Sequence, residues 1–180
     1  MDKITLHDKR FKVCTSAAQI DEAIERVANQ LNRDMAGVDT PIFLSVLNGS
    51  FMFTADLMRK INFQCDVAFI KLSSYEGTSS TGEVKQVMGL TESIAGRTVI
   101  IVEDIVETGG TIEEMFRILE KEGAAEIKVC TLLLKPDMYR KEIKIDYAAL
   151  HIPNDFIVGY GLDYNKLGRQ YKDIYVLDNE

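Results

Sequence analysis

A chain of 180 residues, 46% hydrophobic and 27% charged, is long enough for one domain with a sizeable core and has the composition of an ordinary globular protein. Its net charge of −7 argues against a nucleic-acid coat or an anionic membrane surface as the main partner. No apolar run approaches membrane-spanning length, and the opening M-D-K-I-T-L-H-D-K-R lacks the apolar core of a signal peptide. Cys14, Cys65 and Cys130 form no metal-like cluster, and their apolar surroundings argue for reduced thiols in the cytoplasm. His7 and His151 are too few for a histidine-rich metal site or a Ser-His-Asp triad. No repeat, low-complexity segment or linker divides the chain, so a single domain over 1–180 is expected.

In chain order, residues 1–14 read as an N-terminal extension with a short strand. Ser16 followed by Gln19 reads as a capping box opening a helix to about Met35, with Ile20, Ala23, Ile24, Val27 and Leu31 as its apolar stripe. Gly37 and Pro41 end it. Residues 41–47 (P-I-F-L-S-V-L) form a buried strand, Asn48-Gly49-Ser50 a turn, and residues 51–61 a second helix. Residues 65–72 make another strand. The stretch after it, S-S-Y-E-G-T-S-S-T-G-E, is a long polar loop that reads equally well as a lid or as a slack connection. Residues 84–90 return as a strand.

The stretch from Arg97 to Thr111 changes character halfway. Val99-Ile100-Ile101-Val102 has no polar alternation, as in a strand buried on both faces of a parallel sheet. Glu103, Asp104 and Glu107 then read as an acidic turn, Thr108-Gly109-Gly110-Thr111 as a loop, and a helical pattern begins at Ile112. Paired glycines and a helix N-terminus offer backbone donors to a phosphate, and Thr108 and Thr111 add hydroxyls. The acids would repel that phosphate unless they faced sugar hydroxyls or a hard cation such as Mg²⁺. Gly123 ends the helix, residues 127–134 form a buried strand stopping at Lys135-Pro136, and residues 137–146 are polar. Residues 147–152, 156–160 and 171–177 read as further strands. Strand, glycine turn and helix occur at both 41–61 and 99–119, which implies an α/β fold with a parallel sheet.

V-I-I-V-E-D-I-V-E-T-G-G-T resembles the phosphoribosyl-pyrophosphate (PRPP) motif of the type I phosphoribosyltransferases. V-L-N-G-S-F-M-F-T-A-D-L from Val46, S-S-Y with S-T-G-E-V-K, L-L-L-K at 132–135 and I-P-N-D-F-I-V-G-Y-G-L-D-Y-N from Ile152 are similar to the 6-oxopurine, hypoxanthine-guanine branch. The resemblance implies a type I phosphoribosyltransferase fold: a central, mostly parallel sheet flanked by helices, with a small hood from the N- and C-terminal segments. It also implies purine salvage, with a phosphoribosyl group passing from PRPP to hypoxanthine or guanine. The expected cofactor is Mg²⁺, and the expected state is a homodimer or homotetramer, acting without nucleic acid or membrane.

The same resemblance assigns the residues. Leu47, Asn48 and Gly49, on a strained and often cis non-proline peptide, bind pyrophosphate with Arg169. Glu103 and Asp104 face the ribose hydroxyls and their metal. Glu107, Thr108, Gly109, Gly110 and Thr111 wrap the 5′-phosphate. Lys135 donates to purine O6, Phe156 stacks on the base, Ile157 reads its 2-position edge, and Asp163 holds a second metal. Ser74 and Tyr75 belong to the lid. Two positions depart from the family. Its usual residue at the third acid of the motif is Asp, the acceptor of the purine N7 proton, and here it is Glu107, one methylene longer. Gly110 stands where relatives often carry a longer side chain. Two rivals follow: a phosphoribosyltransferase for xanthine or a pyrimidine, and a non-catalytic regulator on the same fold. The low isoelectric point and the lack of a basic stripe count against the latter.

Overall fold

The computed structural model describes residues 3–73, 85–88 and 93–178. Its elements are β1 (Lys3–Leu6), β2 (Lys9–Thr15), α1 (Ala17–Asp34), β3 (Ile42–Leu47), α2 (Phe51–Met58), β4 (Asp66–Ser73), β5 (Lys85–Met88), β6 (Thr98–Val106), α3 (Gly110–Lys121), β7 (Glu126–Leu134), β8 (Tyr147–His151), β9 (Ile157–Val158) and β10 (Ile174–Leu177). Strands β4, β3, β6, β7 and β8 run parallel in that order, and β5 adds an antiparallel edge beside β4. A second, antiparallel sheet in the order β1-β2-β10-β9 is the expected hood, built from both ends of the chain.

Strand β6 lies at the centre because both its faces are apolar. Ile100 and Val102 pack with α1 and α2, whereas Val99 and Ile101 pack with α3. The Ser16–Gln19 capping box forms as expected and opens α1. The Ala17 amide donates to Asp173 at 2.7 Å, which ties α1 to the hood. Inside the hood, Asp178 pairs with Lys3 at 2.8 Å and Lys12 at 3.2 Å, joining the C-terminal strand to the N-terminal hairpin.

Three expectations are corrected. Residues 3–15 form a hairpin of two strands, because Phe11 and Ile4 pack with Val158 and Tyr175 in a core of their own. The acids 103–104 lie within β6 and not in a turn, because pairing with β7 continues to Val106↔Leu134. Helix α2 stops at Met58, and α3 begins at Gly110, before the apolar pattern does. The proposed lid, with Ser74 and Tyr75, lies outside the described residues. Among the described residues, no helix is long and apolar enough to cross a membrane.

Candidate active site

The carboxyl ends of β3, β6, β7 and β8 all open on one edge of the sheet, the place where open α/β sheets bind ligands. Residues 47–49, 107–111, 135 and 152–157 follow these ends, so the topology gathers nearly every residue expected at the site.

After β6 lies a cavity of about 270 Å³, lined by residues 103–112. Gly109 precedes α3 with φ +88°, and no side chain caps the helix. Among the described residues no acceptor takes the amides of Gly110, Thr111 or Ile112, which leaves the first turn of α3 free for an anion. Glu103 and Asp104 form the floor. Burial pushes the Glu103 carboxyl well above its usual range, with the neighbouring Asp104 adding to it, and burial also raises Asp104. A buried acid beside a half-buried one, with only the Arg169 charge acting on Asp104, is costly, and a hard cation or a set of hydroxyl donors offsets that cost. Among the described residues no three His, Cys, Asp or Glu side chains cluster as a metal site. A divalent ion at this floor would therefore take one or two carboxylates and fill its remaining positions with substrate oxygens, a habit of Mg²⁺.

A second cavity, of about 370 Å³, adjoins the first, and Ile105 and Glu107 line both. Lys135, Phe156 and Ile157 line it as well. Lys135 is not a solvated strand-end lysine: it is 5% exposed. Its ammonium pairs with the Glu107 carboxylate and donates to the Asp155 carbonyl at 2.9 Å and to Asn154 Oδ1 at 3.4 Å. Donor and acceptor are thus presented side by side on one wall. Phe156 is 43% exposed, so it is not a core residue, and its ring packs against Phe11 (tilted) and Tyr164 (edge-on) with centroids at 5.8 and 5.5 Å. A half-exposed ring clamped by two others suits stacking on a flat heterocycle.

The third part is the loop after β3. The Leu47–Asn48 peptide is cis. Gly49 is fixed by its neighbours, since a Cβ there would sit 1.5 Å from Asp104 Oδ2. A Cβ on Gly161 (φ +97°) would in turn lie 2.1 Å from the Gly49 carbonyl oxygen. The loop after β3, the acidic floor and the segment that leads into the hood therefore meet at one point. Arg169 donates to the Gly161 carbonyl at 2.6 Å and pairs with Asp163 at 2.5 Å, which brings these two expected ligand-binding residues to the same place.

Sequence reasoning missed the segment after Lys135, which reads only as polar. A Cβ on Gly109 would lie 2.5 Å from Tyr139 Cε2, and the Arg140 amide donates to the Thr108 carbonyl at 3.4 Å. Tyr139 thus backs the phosphate loop, and its own hydroxyl donates to the Ile143 carbonyl at 2.6 Å. The signal available was an aromatic residue standing alone in a charged stretch. Asn154 and the Asp155 carbonyl, which hold Lys135, carried no signal.

A family model described as "Phosphoribosyl transferase domain" matches residues 16–165. The hypoxanthine-guanine phosphoribosyltransferase of Streptococcus pneumoniae is 40% identical over 170 residues, covering 94% of each chain. That of Staphylococcus aureus is 35% identical over 176 residues, 97% of this chain and 98% of the relative. Among solved structures, a Staphylococcus aureus hypoxanthine phosphoribosyltransferase superposes with a TM-score of 0.86 at 35% identity, covering 93% of this chain and 91% of its own. Another, a glutamic acid mutant from an analysis of an invariant aspartic acid in HPRTs, gives 0.86 at 38% identity, with coverages of 93% and 95%.

Proposed function

The chain belongs to the hypoxanthine-guanine branch of the phosphoribosyltransferases, and from that premise we propose how its site carries out the reaction. It is a purine-salvage enzyme that transfers the 5-phosphoribosyl group of PRPP to hypoxanthine or guanine, giving IMP or GMP and pyrophosphate. The observation that carries the site reading is the junction of two cavities at Ile105 and Glu107: acids and free helix amides on one side, a clamped aromatic and a Lys–Glu pair on the other. That junction fits a nucleotide whose sugar phosphate and base occupy one cavity each.

In this reading the amides of residues 108–111 hold the 5′-phosphate. Glu103 and Asp104 take the ribose hydroxyls and Mg²⁺, and Asp163 takes a second ion. Bound there, Mg²⁺ supplies positive charge to the leaving pyrophosphate. Leu47, Asn48 and Gly49 present backbone donors to that pyrophosphate, with Arg169 as a charged clamp. The C1′–O bond breaks with its electron pair leaving on pyrophosphate, and a purine nitrogen closes on C1′. Phe156 stacks on the base, the Ile157 backbone reads its 2-position edge, Lys135 donates to O6, and Glu107 accepts the N7 proton. A 6-oxopurine in its N7–H form offers an acceptor and a donor side by side, the complement of the Lys135–Glu107 pair. Adenine, with an amino group at position 6, would meet the ammonium with another donor.

We also propose that residues 1–180 act as one domain, supported by the β2–β10 pairing that joins the two ends. A homodimer or homotetramer is supported by Val67 and Phe69 on one face of β4, 43% and 41% exposed. A cytoplasmic location is supported by the three free cysteines. A turnover assay with PRPP, Mg²⁺ and each base in parallel tests the reaction: hypoxanthine and guanine are used, and adenine is rejected by a factor on the order of 10⁴ because its amino group meets the Lys135 ammonium donor to donor. Efficient adenine turnover would overturn the roles of Lys135 and Glu107.

A further inference from the structure

Beneath the loop after β3 lies a polar cluster that the reaction does not use directly. Ser45 on β3, Ser50 at the start of α2 and Thr54 one turn into it are buried, at 0%, 0% and 3% exposure. Ser45 Oγ lies 2.8 Å from Ser50 Oγ and 2.8 Å from Thr54 Oγ1, and Ser50 Oγ donates to the Val46 carbonyl at 2.5 Å. Each hydroxyl has one proton, and this fixes the direction of the chain. The Ser50 proton is committed to Val46, so Ser50 accepts from Ser45. The Ser45 proton is then committed as well, so Ser45 accepts from Thr54.

Two features set this cluster apart from ordinary core satisfaction. First, a serine at a helix N-cap normally turns its oxygen to the first-turn amides. Ser50 makes no such bond; its hydroxyl reaches back to Val46 instead, across residues 47–49. The bond therefore closes a ring around the three-residue loop, while the Phe51 amide turns to the Asn48 carbonyl at 3.4 Å. Among the described residues no acceptor takes the Gly49 or Ser50 amide. Second, the pairing of β3 with β6 ends at Ser45↔Val102, one residue before the carbonyl that Ser50 takes. On the β6 side the hydroxyls thus take over where the ladder stops, while the β4 ladder runs on to Leu47↔Lys71.

We propose that Ser45, Ser50 and Thr54 are positioning residues, whose single hydrogen-bonded chain holds the backbone of residues 47–49 in place to receive the pyrophosphate group of PRPP. The inference rests on the assignment of this loop to pyrophosphate. Thr54 gives the cleanest test, because Thr54→Val keeps the shape and removes the hydroxyl, whereas Thr54→Ser keeps the hydroxyl and removes the methyl. Steady-state constants for PRPP and hypoxanthine, and inhibition by inorganic pyrophosphate, are measured for both variants and for Ser50→Ala, alongside melting curves. Thr54→Val and Ser50→Ala should raise the KM for PRPP and the inhibition constant for pyrophosphate about tenfold, the factor carried by one lost buried hydrogen bond, with the KM for hypoxanthine within about twofold. Thr54→Ser should match the wild type in these constants even where its melting point falls. A purely structural cluster would reverse that order, with Thr54→Ser the poorer variant, or would move both KM values together; either result overturns the proposal. Unchanged PRPP and pyrophosphate constants in Thr54→Val overturn it too. A wild-type protein that neither uses PRPP nor binds pyrophosphate would instead overturn the reading of the loop, and this proposal with it.

Discussion

The β3–α2 and β6–α3 connections are the same strand–loop–helix unit on the same edge of the sheet, yet they are held in opposite ways. Residues 47–49 are fixed from inside: buried hydroxyls below, the Asp104 carboxylate against Gly49, and Gly161 of the hood against the Gly49 carbonyl. Residues 107–109 are shaped from outside. Glu107 and Thr108 are exposed, and the backing comes from Tyr139 and Arg140 in a surface segment. The difference follows the chemistry. On the proposed assignment the first loop fits a group that carries charge away as the bond breaks, where small displacements cost most. The second, on the same assignment, receives a phosphate that does not react, and free amides with a helix dipole suffice for that. Glu107, the base proposed above, stands at its rim.

The largest effect is expected at that rim. Glu107→Gln keeps the size of the side chain but cannot take a proton, so kcat should fall by about 10²- to 10⁴-fold. The Lys135 ammonium would lose its charged partner at the same time, so the KM for hypoxanthine should rise while that for PRPP stays close to wild type. A kcat within a few-fold of wild type, with chemistry rate-limiting, would remove Glu107 as the base.

The comparison itself is sharpened by a pair of alanines. Gly49→Ala places a methyl on the Asp104 carboxylate, which is itself committed to the site, and kcat/KM for PRPP should drop by about 10²-fold or more. Gly109→Ala meets Tyr139 Cε2 and Lys141 Cγ at 2.5 and 2.8 Å, and these side chains can move. Its main penalty is the left-handed backbone, of order 1–3 kcal/mol, which should appear mostly as a lower melting temperature. Equal kinetic losses in the two variants would mean that the loops are equally constrained.

The sequence revealed these two units unevenly. Periodicity located the buried strands, and the Ser16–Gln19 box gave the start of α1, because both signals are local. It misplaced the acids, since Glu103 and Asp104 look like turn residues and only pairing with β7 keeps them in a strand. Apart from the acids, glycines and threonines of 103–111, whose chemistry suggests phosphate, sugar and metal, the candidate site residues were picked out by motif alone. A lysine before Pro136 carries no local sign that Glu107, Asn154 and the Asp155 carbonyl will surround it. Ser45, Ser50 and Thr54 were equally silent, because a hydroxyl in an apolar run looks the same whether it faces a neighbour or the solvent. Tyr139 could have been flagged, but its contact with Gly109 spans 30 residues of sequence.

A smaller effect separates function from stability at the floor shared by both loops. Burial raises the Glu103 carboxyl in the folded protein well above its unfolded value, so the folded state holds that proton more tightly. Its contribution to stability is fully present below about pH 4.3 and is lost as pH rises through the folded pKa. Free of ligand at neutral pH, the protein carries that cost. Glu103→Gln should therefore raise the melting temperature at pH 7 by roughly 2–4 °C for each kcal/mol relieved, flatten its fall with pH, and weaken PRPP binding. Thermal melts from pH 5 to 8 check this; a variant melting below the wild type across that range would show the carboxylate to be already neutralised.

The smallest effect falls on Gly110, where the family resemblance leads one to expect a longer side chain. It is the first residue of α3, outside the positive-φ region, and a Cβ there would meet only Thr108 Oγ1, at 3.9 Å. Alanine in a compatible conformation narrows the unfolded ensemble and stabilises by about 0.4–1 kcal/mol. In the proposed site the phosphate is held by backbone amides, which a methyl pointing into open space would not displace. Gly110→Ala should therefore melt higher by roughly 1–4 °C with the KM for PRPP within about twofold of wild type. A tenfold rise in that KM would mean that the phosphate needs bare backbone at Gly110, as Asp104 does at Gly49. The second loop would then be as tightly fitted as the first, and the contrast between a core-held and a surface-shaped loop would fail at its most permissive residue.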